Sequence, residues 1–122
     1  MAIRDDITTE DDFYTGEDKS LVITIYESDG TTPQDITGWT LAYMWKRAPS
    51  DADSAAVLTK TTSAGIALTT PGSGICTVTI DDTDTDSLFP QTYHHELKRT
   101  TAGSETVLTT GTVLLQRALH RT

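Results

Sequence analysis

Residues 40–46 are Thr40-Leu41-Ala42-Tyr43-Met44-Trp45-Lys46 and give the clearest structural signal in the chain. Large apolar side chains occupy every second position, at Leu41, Tyr43 and Trp45. A period of two is typical of a β-strand, because successive side chains of a strand point to opposite faces. The stretch therefore predicts a strand that packs one face into a hydrophobic core.

The same period recurs along most of the chain. We predict strands at residues 21–26, 40–46, 57–60, 66–68, 75–80, 92–99 and 106–115. Turn clusters rich in Gly, Pro, Asp and Ser separate them, and threonine, a β-former, is the commonest residue. About seven short strands at this spacing predict an all-β fold, and they favour an antiparallel sandwich over a barrel.

The two ends of the chain are expected to lie outside this sandwich. We predict a domain at residues 13–116, flanked by a flexible N-terminal arm at 1–12 and a tail at 117–122, because both ends are too polar to order themselves alone. They are candidate attachment points, with simple fraying as the alternative. The candidate interface residues are Ile3, Ile7, Phe13, Arg117, Leu119 and Arg121.

Composition limits the classes of partner. The formal net charge of the 122-residue chain is −9, so nucleic-acid phosphates and anionic membrane surfaces are expected to repel it. A basic protein surface would attract it. The single cysteine, Cys76, lies in an apolar alternating run and is predicted to be a buried structural residue in a protein made in a reducing compartment.

Residues 81–86 carry an acidic run that superficially resembles the start of an EF-hand calcium loop. Ser87 stands where that loop needs glycine, and Tyr93 where it needs a bidentate glutamate. We therefore predict a solvated turn with one helical turn, capped by Asp82 or Thr83, and we predict no metal or other cofactor.

Two adjacent histidines are the remaining candidates for chemistry. His94 and His95 fall in a predicted strand, so their side chains point to opposite faces and do not chelate together. We predict that His95, which shares a face with Tyr93, is a hydrogen-bonded, partly buried residue. No nucleophile with a neighbouring base is evident, and we predict that the protein is not an enzyme.

Four segments together resemble a known family. They are Asp35-Ile36-Thr37-Gly38-Trp39-Thr40-Leu41 with Trp45-Lys46-Arg47; Asp51-Ala52-Asp53 with Lys60-Thr61 and Gly65-Ile66; Phe89-Pro90-Gln91-Thr92-Tyr93 with Glu96-Leu97-Lys98-Arg99; and Gly111-Thr112-Val113. In this order they resemble the short immunoglobulin-like proteins of tailed bacteriophages and prophages. They are also similar to the N-terminal domain of phage baseplate upper proteins.

The resemblance implies an immunoglobulin-like sandwich and a structural part of a virion. The implied partners are other virion proteins in a symmetric assembly, either at the head or neck or as a tail or baseplate adaptor. A carbohydrate- or receptor-binding module is the alternative. On this fold Tyr93 would form a tyrosine corner, Trp45 would lie in the core, and Trp39 would lie at the core edge or be exposed to anchor a partner.

Overall fold

The computed structural model describes residues 2–4 and 9–12 in backbone, and residues 13–27 and 29–117 with their side chains. Its strands are β1 (Ala2–Arg4), β2 (Thr9–Tyr14), β3 (Lys19–Glu27), β4 (Leu41–Lys46), β5 (Leu58–Thr61), β6 (Ile66–Thr70), β7 (Ile75–Ile80), β8 (Thr92–Arg99) and β9 (Thr106–Gln116). One short helix, α1 (Asp82–Thr85), and two 3₁₀ turns (Asp53–Ala55 and Pro71–Ser73) complete the described elements.

The strands form two packed sheets. The first has the order β1-β3-β7-β6 and the second the order β2-β9-β8-β4-β5. This is the arrangement of an immunoglobulin sandwich, with strands A, B, E and D on one sheet and G, F and C on the other. The second sheet is extended by one further strand at each edge, β2 beside β9 and β5 beside β4. All seven strands predicted from the sequence are present, and the prediction of an all-β sandwich is confirmed.

The N-terminal segment differs from the predicted flexible arm. β1 pairs antiparallel with β3, and β2 pairs in parallel with the last strand, β9. Both strands lie at sheet edges, where the open N–H and C=O groups of β3 and β9 accept a neighbour whatever its side chains. Backbone hydrogen bonding therefore brings the described parts of this polar segment into the sandwich. Of the strand pairs in the described residues, β2–β9 is parallel and the others are antiparallel.

The core forms between the two sheets from alternate residues of each strand. Trp45, Tyr43, Tyr93 and Phe13 are its largest buried side chains. The Phe13 ring meets Trp45 edge-on at 5.2 Å, and Trp45 stacks on Tyr93 at 5.6 Å between ring centroids. Such aromatic contacts add to the free energy gained by burying apolar area, so β4 and β8 form the centre of the core.

Aspartates lock several of the connecting turns. In the turn after β3, Asp29 accepts hydrogen bonds from the hydroxyl of Thr32 and the backbone N–H groups of Thr32 and Thr31; these bonds, that from the Thr32 hydroxyl most of all, lower the pKa of Asp29 to about 2. Asp35 is held in the same way by the hydroxyl of Thr37, at 2.6 Å, which lowers the pKa of Asp35. Side-chain bonds of this kind stabilise the turns that join the strands.

Gly74 is required where β6 turns into β7. Its φ is +73°, and a Cβ at this position would lie 2.4 Å from the Ile25 carbonyl oxygen and 2.7 Å from that of Gln34. The same close approach lets the Gly74 carbonyl accept the Ile25 N–H at 2.8 Å. Only glycine combines this left-handed conformation with the close backbone contact.

One end of the sandwich is built by the turn at residues 15–18, by α1 and by residues 86–91, and is called here the α1 end. The Gly16 N–H donates to the Thr85 hydroxyl at 3.0 Å, and the Asp82 N–H donates to Asp18 at 2.8 Å. The predicted helical turn is present, but its N-cap is Asp81 rather than Asp82 or Thr83. The Asp81 N–H is itself satisfied by the carboxylate of Asp84 at 2.7 Å, and this bond places the start of the helix one residue earlier.

Candidate functional site

The predicted interface residues are distributed differently from the expectation. Ile7, Leu119 and Arg121 lie outside the described residues. Ile3 lies in β1, where its backbone pairs with Tyr26, and its side chain is outside the described part. Arg117 follows β9 and is exposed.

The prediction that Phe13 is an interface residue is wrong, because its side chain belongs to the core. Its side chain is only 2% exposed and is enclosed by Trp45. The cause is long-range: β2 pairs with β9 so that Phe13 lies opposite Leu115, and both point between the sheets. Phe13 therefore contributes to stability and offers nothing to a partner.

A polar cluster lies in the middle of the core, between β4 and β8. The Tyr43 hydroxyl accepts the indole N–H of Trp45 at 2.9 Å and lies 2.7 Å from Nδ1 of His95. The Tyr43 hydroxyl and Nδ1 of His95 share one hydrogen bond, and the tautomer of the imidazole sets its direction. These hydrogen bonds satisfy the Trp45 indole N–H and the Tyr43 hydroxyl, which would otherwise be buried without partners at a high cost in free energy.

The position of this cluster explains its role. Tyr93 begins β8 two residues before His95, so His95 occupies the place where antibody domains put the second cysteine of their inter-sheet disulfide. Here the residue at this place is hydrogen-bonded to Tyr43 of β4, the neighbouring strand of the same sheet. The prediction that His95 is hydrogen-bonded is confirmed, and at 2% exposure it is more buried than expected. Its setting indicates a structural role.

Cys76 faces the core from β7, as predicted. It is fully buried, and burial raises the pKa of its thiol to about 11. A thiol held protonated in this way is a poor nucleophile at neutral pH. Cys76 is therefore a small packing residue of the core.

His94 points to the opposite face of β8 from His95, also as predicted, and it lines a depression of about 360 Å³. The depression lies over β4, β8 and β9 on the outer side of the second sheet. Its lining residues are Met44, Lys46, Pro49, His94, His95, Glu96, Thr110, Gly111 and Thr112.

The charges of this outer face largely offset one another. The Lys46 ammonium bonds Asp53 at 2.8 Å, and this bond is the main cause of a lowered pKa for Asp53. Lys98 also lies close enough to Asp53 to favour its charged form. The depression thus presents charged side chains, a methionine and threonine hydroxyl groups on one face of the sheet.

The α1 end carries a different surface. Phe89 is 67% exposed there, the largest exposed fraction of any large hydrophobic residue in the described part of the chain. The Tyr93 hydroxyl donates to the Phe89 carbonyl at 2.6 Å, which is the tyrosine corner predicted from the sequence. Trp39, by contrast, packs against the core edge under the Arg99 guanidinium, 3.9 Å from its ring, so the core-edge prediction is confirmed.

No helix in the described residues is long and apolar enough to span a membrane. Within the same residues, no group of three or more His, Cys, Asp or Glu side chains is arranged to hold a metal ion. Strand order, tyrosine corner and buried strand-C tryptophan together define an immunoglobulin-like β-sandwich. Comparison with protein-family models and with curated proteins gives no match.

Proposed function

We propose that this protein is a non-enzymatic structural component of a tailed-phage virion that docks on a symmetric assembly. The head, as a decoration or neck protein, is the preferred location, and a tail or baseplate adaptor is the alternative. Its partners would be other virion proteins, and it would be made in the host cytoplasm.

The proposal rests on one observation: buried side chains such as Tyr43 and Tyr93 have structural partners, and the aromatic side chain of Phe89 is exposed. The described histidine, cysteine and tyrosine groups of the interior serve packing and hydrogen bonding, through Tyr43, His95, Cys76 and Tyr93. The aromatic side chain of Phe89 is exposed, and its backbone carbonyl accepts a hydrogen bond from the Tyr93 hydroxyl. This distribution suits a module that binds another protein, because aromatic anchors dominate interface energies.

The resemblance supplies the virion context, and its segments lie at positions that shape the fold. Residues 35–41 form the Asp35 turn that enters β4, and residues 89–93 form the tyrosine corner before β8. Both segments are turn structures that another immunoglobulin-like protein could share. The virion context comes from the order of all four segments along the chain, and the exposed Phe89 supports the binding role.

Quantitative mass spectrometry of purified particles tests the proposal. The chain should be present in a fixed ratio to the major capsid protein. A comparable copy number would indicate head decoration, and a ring's worth would indicate the neck, tail or baseplate. Absence from particles would refute the virion role and favour a receptor- or carbohydrate-binding module.

A further inference from the structure

The α1 end gathers apolar side chains that the chain order separates. Among the described residues, Tyr14, Phe89 and Leu114 are exposed to 39%, 67% and 41%. Leu114 pairs with Thr92 at the start of β8, and Tyr14 pairs with Gln116 two residues further along β9. Phe89 lies three residues before Thr92, on the corner leading into the same strand. The three side chains are therefore carried by neighbouring segments at one end of the molecule.

Phe89 is held in place before any partner binds. Its carbonyl accepts the Tyr93 hydroxyl, the preceding Leu88 packs against the core, and the Gln91 carbonyl accepts the Leu115 N–H at 3.0 Å. A side chain on a fixed backbone loses little conformational entropy when it enters a pocket. Phe89 is thus suited to be an interface anchor.

Carboxylates lie at the same end of the sandwich as this apolar group. Exposed acidic residues at the α1 end are Glu17, Asp18, Asp81, Asp82 and Asp86. Asp84 is also there, but the ammonium of Lys60 pairs with it at 2.7 Å. Arg117, beyond β9, is the exposed basic residue nearby in the described part. Among the described residues, exposed acidic side chains therefore outnumber exposed basic ones at the α1 end.

We propose that the α1 end is a docking surface whose occupant is a basic protein surface with an apolar pocket for Phe89. This deepens, and rests on, the proposed docking role by naming the face that docks and the chemistry of its partner. Lys and Arg side chains of the partner would surround the pocket and pair with the carboxylates, which steers association and fixes orientation. A second copy of this chain does not fit, because it would bring the same negative charge to the contact.

Photo-crosslinking in the particle-producing cells tests this directly. Phe89→p-benzoylphenylalanine places the cross-linker at the proposed anchor. The control is Val22→p-benzoylphenylalanine, since Val22 is 64% exposed on β3 of the other sheet. We expect an adduct yield about tenfold higher at position 89 than at position 22, with a cross-linked partner peptide that carries Lys or Arg beside apolar residues.

A matched pair of charge variants tests the acidic rim. E17Q/D86N removes two carboxylates at the α1 end, and E27Q/E105Q removes two exposed carboxylates at the opposite end, from a chain of net charge −9. We expect the first pair to lower the adduct yield at position 89 about tenfold and the second to leave it unchanged. Equal yields at positions 89 and 22, an acidic partner peptide, or equal responses to the two pairs would overturn the inference.

The outcomes separate the two proposals. An adduct with a basic peptide of a particle protein supports both. The same adduct with a protein absent from particles keeps the α1 end as the docking surface and refutes the virion role. A chain found in particles by mass spectrometry, but without a selective adduct at position 89, keeps the virion role and overturns the docking surface.

Discussion

The centre of the sandwich and its α1 end each contain a fully buried tyrosine, but the two hydroxyl groups do different work. In the centre, Tyr43 bonds side chains on two neighbouring strands, Trp45 and His95. At the α1 end, Tyr93 bonds a backbone carbonyl four residues earlier, that of Phe89. Both rings belong to one core, and Trp45 touches Tyr93 directly.

The difference determines which residues can change. A network between side chains requires particular partners, so the centre depends on the identity of Trp45, Tyr43 and His95 together. A bond to a backbone carbonyl requires only a backbone, so the side chain of residue 89 is left to serve another purpose. The α1 end thus combines a fixed shape with a surface that can be adapted to a partner.

Tyr43→Phe should have the largest effect. It removes the acceptor of the buried Trp45 indole N–H and the hydroxyl beside His95, so the free energy of unfolding should fall by about 2–3 kcal/mol. Urea denaturation measures this loss. A change below about 0.5 kcal/mol would show that the central network does not contribute net stability.

Cys76 should make the centre sensitive to alkaline pH. Burial raises the pKa of the Cys76 thiol to about 11, so above pH 9 the unfolded chain ionises first and the folded state loses relative stability. The loss should approach about 2 kcal/mol as the pH rises from 9 to 11, with no effect below pH 9. Urea midpoints of wild type and Cys76→Ala, compared at pH 8 and pH 10.5, measure it. Parallel pH profiles for the two proteins would contradict the assignment.

Tyr93→Phe should cost less than Tyr43→Phe, about 1 kcal/mol, because one hydrogen bond to a partly accessible carbonyl is lost. Its distinctive effect should be local. Amide hydrogen exchange at residues 86–91 should become faster than in the wild type. Exchange in β4, which contains Tyr43, should stay close to the wild-type rate. If Tyr93→Phe and Tyr43→Phe accelerate exchange at the same amides, the two tyrosines do not stabilise separate regions.

Lys60→Gln should have the smallest effect. The Lys60–Asp84 pair joins the edge strand β5 to α1, and its side chains are 13% and 24% exposed. We expect a loss of about 0.5 kcal/mol that shrinks as salt is added, because ions screen a pair near the surface. The control is Lys46→Gln, which breaks the more exposed pair with Asp53 and should cost less. A larger loss from the control would reverse the ranking.

Much of the strand pattern was predictable, because it depends on local geometry. A strand alternates its faces every residue, so the positions of Tyr43, Trp45 and Cys76 in the core follow from the spacing of apolar residues. The opposite orientations of His94 and His95 follow from the same rule. The turns of Asp29 and Asp35 are local as well, since their side chains bond residues two or three positions ahead.

Other features depend on which segments meet, which local pattern does not reveal. The sequence by itself determined the seven strands from β3 to β9, their inward faces and their turns, because these arise from neighbours along the chain. Only the tertiary structure decided that β2 pairs in parallel with β9, that Phe13 is buried opposite Leu115, and that Tyr14, Phe89 and Leu114 share an acidic end. The β2–β9 pairing joins residues about 100 positions apart, and it depends on open backbone groups at a sheet edge rather than on the side chains of a polar segment.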